Sequence, residues 1–181
     1  MKQVNSDYLV RKYAQAFMQV FGASFSREDV GAMQKVAHFF HQRSRALFFL
    51  RLPIISKDIK REVLYYVCTQ FHVPQAAHTL IDILLKDKRS ALLSLIFSKV
   101  SEIYYKIHGI EPFTIEASHA LSDAQLQEIE QFLAACTGHV ILSEYTVNTD
   151  LIAGVRLQSA TSLWEHSIRK QLAHVQQLFM R

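Results

Sequence analysis

Apolar residues recur at helical spacing up to residues 88–129, and from that stretch onward strand and helical spacings alternate. The stretch begins as a long amphipathic helical pattern that ends at Gly109, where glycine supplies a natural stop. Residues 112–117 then alternate between apolar and polar side chains, as in a strand with one buried face. A new helical pattern opens at Ser122. One chain therefore carries two small domains of different class, which predicts an α+β fold.

The first predicted domain, residues 1–109, is a bundle of six short helices. Apolar residues recur at helical spacing in each of them, and brief connections favour a compact bundle. Ser26 and Asp29 resemble a capping box at the start of the second helix. The predicted helices cover about residues 7–21, from 26, 45–51, from 56, from 74, and 90–108.

The second predicted domain, residues 110–181, is a small α/β domain in which a short sheet is backed by helices. Trp164 is interpreted as a residue that covers the sheet, and contact with a partner is the alternative. The predicted strands cover about residues 112–117, 139–147, a segment after Gly154, and 162–165; the predicted helices run from 122 to 138 and from 166 to the end.

Composition excludes several classes of protein. Half of the residues are hydrophobic, so disorder is not expected. No apolar run approaches the roughly 18 residues that indicate a membrane span, and the N-terminus lacks the pattern of a signal peptide. Cys68 and Cys136 both occupy apolar helix positions. We expect two buried free thiols and a reducing compartment.

The charge of the chain is divided unevenly between its halves. Through Tyr105 there are 15 Lys and Arg against 8 Asp and Glu, and from Lys106 onward there are 5 against 8. A basic helical half makes an RNA-binding factor the alternative function, although no RNA-binding fingerprint accompanies the charges. The basic residues of that half cluster at Arg43, Arg45, Arg51, Lys57, Lys60 and Arg61, and again at Lys86, Lys88 and Arg89.

No arrangement of residues in the sequence predicts catalysis. His38 and His41 lie three positions apart on one helix, but no third metal ligand lies at a suitable spacing. Cys68 and His72 lack a third partner for nucleophilic chemistry. Neither a GxGxxG nor a GxxxxGK[ST] loop occurs. We therefore predict no catalytic, cofactor or metal site, and keep an enzyme with an unrecognised site as a further alternative.

Four segments of the chain follow one another in a recognisable order. They are residues 11–17 with a Tyr-Ala-x-Ala opening, 49–57 with Phe-Leu-x-x-Pro-x-Ile-Ser, 89–126, and 147–172. Each segment is weak alone, but together they cover nearly the whole chain and resemble the delta subunit of bacterial F-type ATP synthases, the family of the mitochondrial oligomycin sensitivity-conferring protein. The family usually has two glycines where this chain has Ala153 and Gly154, and often Asp-Gly where it has Glu165 and His166.

The resemblance implies a non-catalytic stator connector, which links the catalytic head to the peripheral stalk so that the head resists rotor torque during ion-driven ATP synthesis. In this family the helical domain receives the N-terminal helices of the head's alpha subunits, and the second domain meets the C-terminal ends of the stalk's b subunits. The expected location is the cytoplasmic side of the cell inner membrane, reached through partners, with no nucleic acid or cofactor bound.

The family's groove for the alpha subunit lies between the first and fifth helices. A groove between helices can hold the apolar face of an amphipathic partner helix. Plain core packing is the alternative for every residue of the groove. The resemblance assigns partner binding to Tyr13, Ala14, Phe17, Ala77, Leu80 and Ile81.

Overall fold

The structure is a computed structural model that describes residues 2–43, 48, 50, 52 and 54–179. The chain divides into two compact units, Met1–Tyr105 and Lys106–Arg181. Helices fill the first unit, and the second contains a four-stranded sheet. The α+β class predicted from the sequence is confirmed.

Five α-helices are described in the helical unit, of which the last runs on to Ile107. Short 3-10 turns at Gly22–Ser24 and Ser90–Leu92 adjoin the first and last of them. The helices are α1 (Lys2–Phe21), α2 (Arg27–Gln42), α3 (Lys57–Gln70), α4 (Ala76–Lys86) and α5 (Leu93–Ile107).

The predicted third helix, residues 45–51, lies mostly outside the described residues. The count of six helices therefore stays a prediction, and the predicted fourth, fifth and sixth helices correspond to α3, α4 and α5. Helix α1 begins at Lys2, five residues earlier than predicted, because no proline or glycine stops it there.

Polar caps fix the start of α2 where the sequence predicts it. The Asp29 backbone N–H donates to Ser26 Oγ at 3.1 Å, and the Ser26 N–H donates to Asp29 Oδ2 at 2.9 Å. These two bonds satisfy helix donors that would otherwise lack partners. The predicted capping box is thus confirmed, with aspartate in the place of the usual glutamate.

The core of the helical unit is formed by apolar stripes that face inward from all five helices. Helix α5 contributes Leu93, Ile96, Phe97 and Val100, which are all fully buried. Helix α2 supplies Val30, Met33 and Val36 at the same degree of burial. Burying apolar surface in this way is the main force that holds such a bundle together.

The second unit, as described to residue 179, carries four strands and two α-helices. The strand order is β2-β1-β3-β4, with β1 and β2 parallel and the other pairs antiparallel. A 3-10 turn at Thr149–Leu151 precedes β3. The elements are β1 (Ile110–Ala117), α6 (Asp123–Thr137), β2 (Val140–Val147), β3 (Gly154–Gln158), β4 (Leu163–Ser167) and α7 (Ile168–Phe179).

One face of this sheet is packed against α6. Ser122 caps the start of α6 through Gln125, and Gly138 ends it in the left-handed conformation, φ +71, that glycine adopts without strain. A small core joins Leu133 of α6 to Phe113, Ile115 and Leu157 of the sheet. In contrast to α6, helix α7 leaves all of its described side chains exposed.

Of the two neighbouring positions Ala153 and Gly154, only the second has a backbone conformation that requires glycine. Gly154 has φ +104, and a Cβ there would lie 2.0 Å from the carbonyl oxygen of His166. Ala153 does not have a positive φ, whereas Ile152 does, at +67. Ile152 is the centre of a γ-turn, because the Ala153 N–H donates to the Leu151 carbonyl at 2.8 Å.

None of the helices in the described part of the chain is long and apolar enough to cross a membrane.

Candidate functional site

Five of the six residues predicted to bind a partner lie in the core of the helical unit. In the isolated chain they have almost no contact with solvent, so in any groove between α1 and α4 they can form only the floor. Tyr13, the sixth, is partly exposed. The five buried residues are Ala14, Phe17, Ala77, Leu80 and Ile81.

Tyr13 ties the middle of α1 to the end of α4. Its hydroxyl donates to Asp87 Oδ2 at 2.6 Å and accepts from Arg89 Nη1 at 3.0 Å. The hydrogen bond to Asp87 raises the pKa of the Tyr13 phenol, burial adds to the rise, and Arg89 opposes it. Two bonds to charged partners hold the two helices at a fixed separation.

The flanks of α1 and α4 beside this bond are apolar and open to solvent. Ala16 and Val20 follow Tyr13 at helical spacing, and Val20 is 71% exposed. Ile83 lies one turn before Asp87 and is 45% exposed. The Tyr13–Asp87 bond therefore joins two helices that each expose an apolar residue, Val20 on α1 and Ile83 on α4.

Sequence reasoning missed Val20 and Ile83, because both lie to one side of the most apolar stripe of their helices. The signal was nevertheless present. Leu9, Tyr13, Ala16 and Val20 are spaced by four, three and four residues, which places them along one edge of α1.

Helix α3 holds α4 in place through Asp82. Tyr65 Oη donates to Asp82 Oδ2 at 2.9 Å, and Arg61 Nε donates to Asp82 Oδ1 at 2.8 Å. Burial, with the hydrogen bond to Asp82, raises the pKa of Tyr65. The ring of Tyr65 stacks on His78 with centroids 4.2 Å apart. Ile83 lies about 100° around α4 from Asp82 and takes no part in these contacts.

The basic residues of the helical unit are partly used within the unit itself. Lys60 is buried, and its ammonium donates to the carbonyls of Leu50 at 2.9 Å and Leu52 at 2.7 Å. Arg61 pairs with Asp82, and Arg89 bonds to Tyr13. These side chains are less available to a phosphate backbone than the sequence suggested. Arg45 and Arg51 lie outside the described residues.

The thiols and histidines singled out in the sequence are placed as follows. Cys68 is buried, and burial raises the pKa of its thiol to about 12, so it stays protonated and unreactive near neutral pH. Cys136 is exposed, which corrects the expectation of two buried thiols: it lies on the outer face of α6. His38 and His41 are exposed, and the His38 ring bonds to Gln42.

Trp164 covers part of the sheet and also faces solvent. It stacks on Phe113 with ring centroids 5.8 Å apart and an interplanar angle of 7°. It nevertheless stays 38% exposed, which is a large fraction for a tryptophan stacked on a core residue. Both interpretations of Trp164 given by the sequence thus have a physical basis.

Comparison with known proteins identifies the family. Residues 9–179 match the model of the "ATP synthase delta (OSCP) subunit" family. The chain belongs to this family. It is 25% identical to the ATP synthase subunit delta of Chlorobaculum tepidum over 163 residues, 90% of each chain. It is 30% identical to the chloroplastic ATP synthase subunit delta of Emiliania huxleyi over 168 residues, 92% of this chain and 93% of the relative.

A solved structure shows the same fold. The chain is similar to a chain in the cryo-EM structure of the Toxoplasma gondii mitochondrial ATP synthase hexamer, with a TM-score of 0.68 and 18% identity. The match covers 96% of this chain and 98% of that one.

Membership of the delta family decides between the functions that the sequence left open. The chain is a non-catalytic subunit of an ATP synthase and acts as a connector in the peripheral stalk. It associates with other synthase subunits and is peripheral to the membrane complex. The RNA-binding alternative gains no support from these matches.

Proposed function

We propose that this delta-family chain ties the catalytic head to the stalk through two domains, residues 1–109 and 110–181. The first receives the N-terminal helix of an alpha subunit in the groove between α1 and α4. The second meets the C-terminal ends of the b subunits. In this arrangement the connector lies on the cytoplasmic side of the cell inner membrane and reaches the membrane only through its partners.

The observation that carries the first half of the proposal is the pair of apolar flanks beside the Tyr13–Asp87 bond. Val20 and Ile83 are exposed on those flanks, while Ala14, Phe17 and Leu80 form a buried floor. A partner helix lying there would cover the flanks and contact Tyr13, and it would not need to unpack the core. Rigid apolar contacts favour slow dissociation, which a part under torque requires.

Binding of the alpha subunit's N-terminal peptide to the full chain tests this groove. Ile83→Ser should weaken binding by about tenfold or more, because it removes apolar area from the interface. Ile59→Ser is the matched control, since Ile59 is 51% exposed on α3, away from the groove. It should change the affinity by less than about twofold. Equal loss in both variants, with unchanged circular dichroism, would remove the groove from the proposal.

A second measurement tests whether the two domains bind different partners independently. The C-terminal segment of the b subunit should bind the full chain with the same affinity whether or not the alpha peptide is already bound. Sedimentation should detect the ternary complex. Competition between the two peptides would contradict two separate sites, because ligands of one site exclude each other.

A further inference from the structure

The sheet of the second unit is wider than the helix that covers it. Neighbouring strands lie about 4.8 Å apart, so β2 and β4 are separated by about 14 Å. A helix with its side chains is about 10 Å wide. Helix α6 packs over β1 and β2, where Leu133 meets Phe113 and Glu130 accepts a hydrogen bond from Ser143. The half of this face above β3 and β4 is left without a helix in the described part of the chain.

A hollow of about 550 Å³ occupies that uncovered half. Its apolar wall and floor come from α6, β3 and β4. Phe132 of α6 is 56% exposed, and its ring lies 6.3 Å from that of Trp164. Large aromatic side chains exposed together in a concave site are typical of binding surfaces. The apolar lining residues are Ile129, Phe132, Val155, Leu157, Leu163 and Trp164.

The two edges of the hollow carry opposite charges. On the α6 side lies Glu128, in a helix whose sequence contains Asp and Glu but no Lys or Arg. On the other side lie His166 and Lys170. Neither Glu128 nor Lys170 has an ion-pair partner among the described residues. Both charges are therefore available to pair with opposite charges on a ligand, which would give selectivity and fix its orientation.

Glu165, which also borders the hollow, does not alter this polarity. Its carboxylate accepts a hydrogen bond from Ser167 Oγ at 2.6 Å, and Arg156 Nε lies 3.9 Å from its other oxygen. Arg156 pairs in register with Glu165 on β4 and with Glu116 on β1. The charge of Glu165 is thus balanced within the sheet.

We propose that this hollow is the seat of a single amphipathic helix from a partner, with basic residues along one edge of its apolar stripe and acidic residues along the other. The basic edge lies against Glu128 and the acidic edge against Lys170. An occupant as long as α6, which has 15 residues, spans about 22 Å. The inference rests on the proposed function, in which this domain meets the ends of the b subunits, and it specifies the chemistry of the partner segment.

The test uses the full chain and two designed helical peptides of about 18 residues that share one apolar stripe and lack tryptophan. In the first peptide, Lys flanks the stripe on one side and Glu on the other. In the second, Glu flanks both sides. Trp164 is the only tryptophan of the chain, so its emission reports directly on the hollow.

The first peptide should bind about tenfold more tightly than the second. Its binding should shift the emission of Trp164 to shorter wavelength and reduce quenching by acrylamide. Glu128→Lys should reverse the preference between the peptides. The matched control Glu144→Lys alters an exposed carboxylate of β2 outside the hollow and should leave the preference unchanged.

Phe132→Ser should weaken binding of the first peptide by about tenfold or more, because it removes an exposed ring from the wall. Phe48→Ser changes an exposed phenylalanine of the helical unit and should have no effect. Equal affinity for both peptides, no binding below about 1 mM, or binding that leaves Trp164 unaffected would overturn the proposal. Self-association of the chain alone that protects Trp164 would assign the hollow to a second copy and also overturn it.

The b subunit's C-terminal segment, measured alongside, separates this proposal from the broader one. If that segment binds without changing the emission of Trp164, and binds the Phe132→Ser variant with unchanged affinity, the hollow is not the binding site and the proposed function stands. If the first designed peptide covers Trp164 while the b segment does not bind the chain, the hollow stands and the assignment of the b subunit fails.

Discussion

The helical unit and the C-terminal unit treat their apolar surface differently. In the helical unit, one side of α5 is fully buried and polar bonds hold the other helices together, as Tyr13 does with Asp87 and Tyr65 with Asp82. In the C-terminal unit, one helix covers two strands of a four-stranded sheet, and Trp164 and Phe132 stay partly exposed. The helical unit encloses its core and exposes some apolar residues at its surface. In the C-terminal unit, half of one face of the sheet is left uncovered by the described residues.

The two units should therefore gain different amounts of stability from a bound partner. A ligand that binds only the folded state stabilises it in proportion to the logarithm of its concentration over its dissociation constant. A helix seated over β3 and β4 would also enlarge a small core. A helix in the groove between α1 and α4 would cover flanks without extending the core beneath. We therefore expect the C-terminal unit to depend more strongly on its partner.

We expect the greatest loss of folding stability from a substitution in the small core of the C-terminal unit. Leu133→Ala removes a fully buried side chain that contacts Phe113 and Ile115, so it should lower the free energy of unfolding by about 3 kcal/mol. Urea unfolding followed by Trp164 fluorescence measures this. Leu172→Ala in α7 is the matched control, because Leu172 is 55% exposed, and should change the stability by less than about 0.5 kcal/mol. Equal effects would mean that α7 is packed as tightly as α6.

The helical unit should be most sensitive at a polar contact, Lys60. Lys60→Met keeps most of the apolar stem but removes the ammonium. The Leu52 carbonyl therefore loses its hydrogen bond from the ammonium, and the Leu50 carbonyl keeps only the one from Ser90 Oγ at 3.2 Å. An unsatisfied buried polar group is costly, so we expect a loss of about 2 kcal/mol. Thermal unfolding by circular dichroism provides the measurement. Lys57→Met, an exposed change at the start of α3, should be nearly neutral. If the two variants unfold alike, Lys60 is not a structural anchor.

A smaller loss is expected at Tyr13. Tyr13→Phe deletes the hydroxyl that bonds to Asp87 and Arg89, and a single exposed contact of this kind contributes about 1 kcal/mol. Tyr8→Phe is the control, because the Tyr8 hydroxyl bonds to no described residue. The Tyr13 variant should also weaken binding of the alpha peptide, since the bond sets the separation of α1 and α4. Weaker binding with unchanged stability would mean that Tyr13 acts only by direct contact.

Local signals in the sequence predicted the elements of the C-terminal unit well. The capping Ser122 and the terminal Gly138 bound α6 as predicted, and the alternation of residues 112–117 marks the buried face of β1. These features depend on neighbouring residues, which a single sequence displays.

The binding surfaces could not be predicted in the same way, because they depend on long-range packing. The hollow exists because β3 joins the edge of β1 away from β2, and no short segment encodes that order. In the helical unit the sequence identified Ala77 and Leu80 as apolar but did not show whether they are buried beneath the groove or exposed along its sides. Ile83 is assigned to the groove only through the long-range contact between Tyr13 and Asp87, which no local pattern predicts.

The two units also differ in the burial of their cysteines. At neutral pH this difference should have the smallest effect on folding stability. Burial raises the pKa of Cys68 in the helical unit from 9.0 to about 12. Above about pH 9 the unfolded chain therefore loses a proton that the folded chain keeps, so stability is fully present below that pH and falls as the pH rises toward 12. Cys68→Ala should flatten this fall by up to about 1.4 kcal/mol per pH unit, and Cys136→Ala should leave it unchanged. At pH 8 a thiol reagent should modify Cys136 alone in the native chain, and rapid modification of Cys68 would contradict its burial.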